Sequence, residues 1–162
     1  MTTTIVTPDQ DAIVAEIHIS APPERVFKAI SDADELPHWF GGSAECPLKS
    51  WKMEPRAGGR YSYTTQKGSI AVNGVSEFKC YGDIVEFDPP RVLAYTWFGN
   101  WHDDPKRSTL VRWELTPKQS GTHVRVTHSG LASLPVARKD YAGGWPGVVE
   151  HLKKFVETGN RG

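Results

Sequence analysis

Positions 20–40 constrain the fold more strongly than any other part of the chain, because they read SAPPERVFKAISDADELPHWF. The double proline ends a preceding strand-like run, and proline is well tolerated at the first position of a helix, where its missing N–H needs no partner. The spacing predicts a short helix over 23–31, with one apolar side formed by Val26, Phe27 and Ile30. A second helical piece over 33–39 ends at Trp39 and Phe40. Helices this short need tertiary packing, so the segment indicates a sheet plugged at one end.

Period-two alternation marks the strands of this chain. The run 12–19 is predicted to be a half-buried strand, because one face carries only Ile13, Ala15, Ile17 and Ile19. Further strands are predicted over 43–52, 60–66, 70–87, 91–98, 108–116 and 122–128. Gly82 is expected to mark a bulge or bend within its strand. Short turns between successive strands are typical of an antiparallel meander.

The period changes near the C-terminus, where apolar residues recur at helical spacing. The stripe consists of Tyr141, Trp145, Val148, Leu152 and Phe155, widened by Val149 and Val156. This pattern predicts an amphipathic helix that lays one face on the sheet and stops at Gly159. Because Pro146 has no N–H to donate to the carbonyl of Ala142, we expect a kink or a fresh start there.

A chain of 162 residues fits one domain better than two. We predict an α+β fold in which a seven-stranded curved antiparallel sheet surrounds the long C-terminal helix, with two short helices after the first strand. Positions 1–10 are expected to be a flexible tail, and 11–162 a single domain. A curved sheet does not close completely onto one helix, so this arrangement predicts an internal cavity.

Charge and composition argue against several classes of function. Lys plus Arg is 19 and Asp plus Glu is 19, so there is no basic excess to neutralise nucleic-acid phosphates. The N-terminus lacks the features of a secretory signal, and no run of about 18 apolar residues could span a membrane. For Cys46 and Cys80, two free thiols in a reducing compartment are the plainer interpretation, although a disulfide stays open. We therefore expect a cytoplasmic protein with no nucleic-acid or membrane partner.

Five segments, taken in order, resemble the START/Bet v 1-like superfamily, whose members have the helix-grip fold. They are ISAPPERVFKAISDADELPHWF (19–40), AGGRYSY (57–63), YGDIVEFDPPRVLAYTW (81–97), GTHVRVTHSGL (121–131) and GGWPGVVEHLKKFVETG (143–159). Within that superfamily, the chain is similar to the group named after the C-terminal domain of the activator of Hsp90 ATPase. The resemblance implies a hydrophobic cavity between sheet and helix. It implies little about ligand or reaction, since the superfamily includes lipid carriers, hormone receptors, cyclases and co-chaperone domains.

Aromatic residues dominate the faces expected to point inward. Amphipathic rings suit an apolar pocket in which a few polar groups orient the ligand. The predicted ligand-binding residues are Trp39, Tyr61, Tyr63, Tyr95, Trp97, Trp113, His128, Trp145 and Val149. Plain core packing is the alternative for each ring taken singly. His128 is interpreted either as a polar anchor or general base, or as a buried histidine satisfied by the backbone. Trp101 lies in a predicted polar loop, and it is interpreted either as a lid over the mouth of the pocket or as an exposed anchor of the loop.

No sequence pattern points to a metal, a cofactor or an activated nucleophile. The only tight cluster, His102-Asp103-Asp104, is interpreted as a solvated turn because adjacent loop residues rarely converge on one ion. There is no G-x-S-x-G elbow, and Gly58-Gly59-Arg60 lacks the residues of a phosphate loop. We therefore expect no cofactor and no metal site, and the sequence identifies no catalytic residue.

The sequence favours binding of a small apolar molecule in the predicted cavity, oriented by His128 and by a tyrosine such as Tyr61 or Tyr63. Two alternatives stay open. One is a cyclase/aromatase- or hydratase-type enzyme that uses the same cavity with His128 or a tyrosine as acid or base. The other is a co-chaperone-like interaction module. The sequence also leaves a homodimer and a chaperone contact open.

Overall fold

The computed structural model describes residues 2–41 and 44–159. Positions 1, 42, 43 and 160–162 lie outside the described residues. Position 1 falls in the predicted tail, 42 just before and 43 at the start of the strand predicted over 43–52, and 160–162 at the end of the predicted domain. The strands are β1 Thr3–Val6, β2 Ile13–Ile19, β3 Leu48–Met53, β4 Arg60–Thr65, β5 Lys79–Asp88, β6 Val92–Gly99, β7 Thr109–Lys118 and β8 Gly121–Ser129. The helices are α1 Pro23–Ser31 and α2 Pro135–Thr158, with a single 3₁₀ turn at Leu36–His38.

The strands form one antiparallel sheet in the order β1-β2-β8-β7-β6-β5-β4-β3. This is the predicted α+β fold: a curved open sheet with a long C-terminal helix, as in the helix-grip fold. The described sheet has eight strands where seven were predicted, because Thr3–Val6 pairs with β2. The expectation that positions 1–10 form a flexible tail is therefore wrong for this stretch. The stretch was missed because only four residues pair, at the sheet edge and without full burial.

Strand β2 and helix α1 follow the sequence pattern closely. The four predicted apolar positions of β2 are all buried, and the strand pairs with β8 along its whole length. In α1, Val26, Phe27 and Ile30 are buried. The second predicted helix is shorter than expected, a 3₁₀ turn that positions Trp39 and Phe40 immediately after it. The indole N–H of Trp39 donates to the carbonyl of Ala29 at 2.9 Å and ties the turn to α1.

The long strand predicted over 70–87 is wrong in its first half. Strand β5 begins only at Lys79, and the chain before it folds back in a tight turn in which Val72 and Val75 exchange backbone hydrogen bonds of 2.9 Å. Asn73 and Gly74 both have positive φ, 50° and 79°, as a two-residue hairpin turn requires. The register shift of β5 lies between Ile84 and Glu86, so the bulge is not at Gly82.

Helix α2 is longer than the apolar stripe predicted, since it begins at Pro135. It continues through Pro146, so no fresh start occurs there, and it ends at Gly159, whose φ of 79° is left-handed as expected of a C-terminal cap. Its first turn is capped by a distant side chain. The carboxylate of Asp103 accepts hydrogen bonds from the N–H groups of Val136 at 3.1 Å and Ala137 at 2.9 Å.

Candidate functional site

A pocket of about 330 Å³ lies between the first half of α2 and the sheet. The turn at 70–78 and the segment after the 3₁₀ turn border it, so four separate parts of the fold meet there. Its lining residues are Phe40, Gly41, Cys46, Tyr63, Ile70, Val72, Phe78, Trp97, Trp101, Asp140, Tyr141, Gly144, Trp145 and Val148. The volume falls at the lower end of the range of about 300–1,000 Å³ that is typical of small-molecule sites.

Aromatic rings form most of the wall, and they pack against one another rather than standing alone. Phe40 stacks on Trp97 with ring centroids 6.0 Å apart and meets Trp145 edge-on, also at 6.0 Å. On the opposite side, Phe78 meets Trp101 edge-on at 5.2 Å. Because each of these rings packs against a neighbouring ring, the wall is preformed, as binding an apolar ligand without a large ordering cost requires.

Tyr141 carries a polar group at this wall. Its hydroxyl accepts a hydrogen bond from the indole N–H of Trp97 at 2.7 Å and lies 2.7 Å from Nε2 of His102. Burial raises the pKa of this phenol well above its usual value, so the hydroxyl keeps its proton at neutral pH. The group can therefore orient a ligand or take part in hydrogen bonding, but it does not serve as a phenolate base.

Asp140 stands at the mouth of the pocket on the exposed side of α2. Its carboxylate is accessible to solvent, yet the surrounding protein raises its pKa by desolvation, an effect opposed by the nearby indole of Trp101. The Trp101 N–H does not reach hydrogen-bond geometry with any described group. Asp140 is thus the carboxylate that borders an otherwise aromatic and aliphatic pocket.

His128 is a fully buried, neutral histidine with both ring nitrogens in use. The indole N–H of Trp145 can only donate, so Nδ1 of His128 accepts it, at 3.1 Å. Nε2 then carries the proton and donates to the hydroxyl of Thr109 at 2.8 Å, and that hydroxyl donates to the carbonyl of Trp97 at 2.7 Å. Burial, with a smaller contribution from His102, lowers the pKa of His128 well below its usual value. The side chain is a satisfied core histidine and has no site left for a substrate proton.

Three of the nine predicted ligand-binding residues border the pocket: Tyr63, Trp97 and Trp145. The other six, Trp39, Tyr61, Tyr95, Trp113, His128 and Val149, are buried behind the wall. Their polar atoms are satisfied within the core, for instance by the Trp113 indole donating to the Tyr95 hydroxyl at 2.9 Å. They support the wall rather than form it. Whether the three wall residues bind a ligand stays a prediction.

Several wall residues are not among the predicted ligand-binding residues, for identifiable reasons. Phe40 was assigned to plugging the sheet, and it also forms part of the wall. Ile70, Val72 and Phe78 were assigned to a continuous strand; the Asn73-Gly74 pair, a strong turn signal, could have shown that the chain folds back there. Asp140 had no sequence signal, because a single acidic residue on an amphipathic helix normally belongs to its solvated face.

The His102-Asp103-Asp104 turn is not solvated throughout, contrary to expectation. His102 is only 2% exposed and packs against Tyr141, and burial lowers its pKa to about 4. Trp101, at 6% exposed, is part of the pocket wall and not an exposed anchor. Within residues 2–41 and 44–159, no group of three or more His, Cys, Asp or Glu side chains could hold a metal ion.

Comparisons with known proteins agree with this architecture. A family model described as activator of Hsp90 ATPase homolog 1-like protein matches residues 20–157. Among solved structures, an AHSA1-like protein from Aeromonas hydrophila is 22% identical with a TM-score of 0.68, covering 100% of this chain and 96% of that one. A protein from Mesorhizobium loti is 27% identical with a TM-score of 0.68, covering 90% and 96%. A protein from Arthrobacter aurescens is 15% identical with a TM-score of 0.77, covering 98% and 94%. No curated protein matches the chain.

Proposed function

Because this chain belongs to the family of activator of Hsp90 ATPase homolog 1-like proteins, we propose that it binds a small hydrophobic ligand in the pocket between α2 and the sheet. The family is part of the START/Bet v 1-like superfamily, many of whose members bind hydrophobic ligands. The observation that carries the proposal is the wall itself. Phe40, Trp97 and Trp145 pack into one aromatic surface that borders the pocket.

The driving force is the removal of ligand surface from water, worth roughly 25 cal/mol per Å². The size of the pocket limits the ligand. An apolar cavity of about 150 Å³ binds benzene in an engineered protein, so a pocket of about twice that volume suits a body of two fused rings. Flat aromatic or polycyclic molecules fit the flat rings of the wall better than long flexible chains do.

The enzyme alternative is less well supported than binding. An acid–base enzyme needs a group that is free to exchange a proton with its substrate. His128 is committed on both nitrogens, and the Tyr141 hydroxyl is engaged by Trp97 and His102. The polar groups near the pocket thus hold one another, as expected of a structural network.

The interaction-module alternative, including chaperone contact, and a homodimer both remain proposals without a supporting feature of their own. The exposed large apolar side chains are Ile5, Ile70, Tyr81, Val85 and Val136. Two of them, Ile70 and Val136, lie beside the pocket and an adjoining groove, where a ligand-binding role accounts for them.

The compartment is also a proposal. Cys46 and Cys80 are both buried and form no disulfide with each other, which agrees with the preferred interpretation of the sequence, and reduced thiols are in keeping with a reducing cytoplasm. None of the described helices combines the length and apolar character needed to span a lipid bilayer.

A matched pair of glycine variants tests the proposed function. Gly144 borders the pocket and Gly147 does not, yet both are exposed on α2 and a Cβ at either would meet no atom within 4 Å. Gly144→Leu therefore places a side chain over the pocket mouth, while Gly147→Leu makes the same change outside it. Both changes favour the helix, by up to about 1 kcal/mol, so neither is expected to unfold the protein.

The probe is N-phenyl-1-naphthylamine, which is neutral and apolar, and binding is followed by its fluorescence. We expect saturable binding to the wild-type protein, an affinity at least about tenfold weaker for Gly144→Leu, and an unchanged affinity for Gly147→Leu. Absence of saturable binding to the wild type, or equal affinity of the two variants, would contradict the proposal.

A further inference from the structure

The pocket opens into a shallower groove on the protein surface, and Asp140 stands where the two meet. Val72, Asp140 and Gly144 border both the pocket and the groove, which continues past Lys139 and Val136. The pocket is lined mainly by aromatic and aliphatic side chains, whereas its mouth carries a carboxylate. A ligand that fills the pocket would therefore end beside Asp140, with any polar substituent directed toward the groove.

The carboxylate of Asp140 is not neutralised by the protein. Among the described residues, no cationic side chain forms a salt bridge with it, although Lys139 follows the same groove. The nearby indole N–H of Trp101 favours the ionised form of Asp140 and so acts to lower its pKa. This N–H does not, however, reach the distance and angle of a full hydrogen bond with any described group. Desolvation at the pocket mouth works against the charge and raises the pKa of this carboxyl.

Asp140 is a partly desolvated carboxylate with no ion-pair partner among the described residues, so a ligand that supplies a cation or a hydrogen-bond donor would stabilise it. A ligand anion at the same place would instead add like-charge repulsion. Water can reach Asp140 when the pocket is empty, but an apolar ligand body in the mouth displaces part of that water. A cationic or hydrogen-bond-donating group beside Asp140 therefore contributes more to the binding free energy when the ligand body fills the pocket.

We infer that this pocket selects aromatic ligands of about two fused rings that carry an amine, with the rings against Trp97 and Trp145 and the ammonium group on Asp140. This inference rests on the proposed function, because it names the ligand class of the same pocket. Asp140 is then the specificity-determining residue, and aromatic acids of the same size are rejected.

Three naphthalene probes of one shape test the inference: 1-naphthylmethylamine, 1-naphthylmethanol and 1-naphthoate, which are cationic, neutral and anionic near pH 7. Dissociation constants are measured by quenching of tryptophan fluorescence, since three tryptophans border the pocket. We expect the order amine, alcohol, acid from tightest to weakest, with the amine at least about tenfold tighter than the acid.

The variant Asp140→Asn removes the charge at nearly constant shape, and Glu150→Gln is its matched control. Glu150 is exposed on the same helix and borders neither the pocket nor the groove, so its loss changes the net charge equally. Asp140→Asn is expected to weaken amine binding about tenfold, leave the alcohol unchanged and improve the acid, whereas Glu150→Gln preserves the wild-type order.

The measurements distinguish failure of the amine preference from failure of the hydrophobic pocket. If the three probes bind to the wild type with equal affinity, or if Asp140→Asn keeps the preference for the amine, the inference is overturned while the hydrophobic pocket stands. If none of the three binds and N-phenyl-1-naphthylamine also fails, the proposed function itself is overturned.

Discussion

At the scale of single residues, two buried histidines are held neutral by their surroundings. His128 is fully buried and His102 is 2% exposed, and burial lowers the pKa of His102 to about 4. Taking an imidazolium out of water is unfavourable, and no carboxylate hydrogen-bonds to either ring. A neutral ring can accept and donate at once, which lets His128 link Trp145 to Thr109, whereas His102 contacts the Tyr141 hydroxyl through Nε2 alone.

The first prediction concerns the pH dependence of stability. The unfolded chain binds a proton at His102 below about pH 6.5, whereas the folded protein binds it only below about pH 4. Between about pH 6.5 and 4 the unfolded state thus binds more protons than the folded state. The free energy of unfolding therefore has its full value above this range and falls as the pH drops through it. Urea denaturation at a series of pH values measures this fall.

The variant His102→Gln isolates the contribution of that side chain. The free energy of unfolding of the variant should decline less between about pH 6.5 and 4 than that of the wild type, because one titrating group has been removed. Asp103 does not confuse the comparison, since its pKa is lowered and its contribution is lost only at lower pH. Equal declines in the two proteins would show that His102 is not held neutral by the fold.

At the scale of secondary-structure elements, α2 depends on a side chain from another part of the chain. Leu134, the residue just before the first turn of α2, makes no side-chain hydrogen bond that caps the helix. The carboxylate of Asp103 takes that role. Desolvation alone would raise its pKa, but the hydrogen bonds from the N–H groups of Ala137 and Val136 outweigh it, with smaller contributions, and the pKa is lowered. The loop that carries Trp101 into the pocket wall is thereby fixed to the helix that forms the facing wall.

We predict that Asp103→Ala lowers the free energy of unfolding by about 1 kcal/mol, the usual cost of losing a helix cap. Urea denaturation measures the change. Asp104→Ala is the control, because Asp104 is exposed and its carboxylate accepts only the N–H of Lys106 within the loop. Its effect should stay within about 0.5 kcal/mol. Equal costs for the two variants would mean that Asp103 does not cap α2 in solution.

The elements differ in how well the sequence predicts them. Strand β2 and helix α2 bury one regular face, so their periodicity is visible in the sequence. The turn around Asn73-Gly74 interrupts no such periodicity, because the residues on both sides of it, Val72 and Val75, are apolar. In that stretch the decisive signal is backbone conformation at two residues, and hydrophobic pattern alone gives the wrong answer.

At the scale of the whole molecule, the sequence predicts the fold better than the site. The curved sheet and the long helix follow from alternation and helical spacing, and they imply a space between them. Which rings border that space depends on how deeply each side chain is buried between the sheet and the helix. Tyr61 and Tyr63 alternate correctly on one strand, yet Tyr61 donates to the carbonyl of Thr96 inside the core while Tyr63 borders the pocket.

Asp140 is a second pocket residue that the sequence does not reveal. Nothing in the sequence distinguishes it from the acidic residues of other solvated helix faces. It matters only because the turn at 70–78 closes the far side of the pocket opposite α2. A site assembled from four distant segments is set by tertiary packing, which single-sequence patterns do not contain.

The six tryptophans provide the most direct test of the central claim that the ligand lies between α2 and the sheet. Trp97, Trp101 and Trp145 border the pocket, whereas Trp39, Trp51 and Trp113 do not. In a ¹⁵N-labelled protein, each indole N–H gives its own NMR signal, which can be followed as N-phenyl-1-naphthylamine is added. We expect the signals of the first three to shift with one saturation curve while those of the other three move much less. Equal shifts of all six, or shifts confined to the second three, would contradict it.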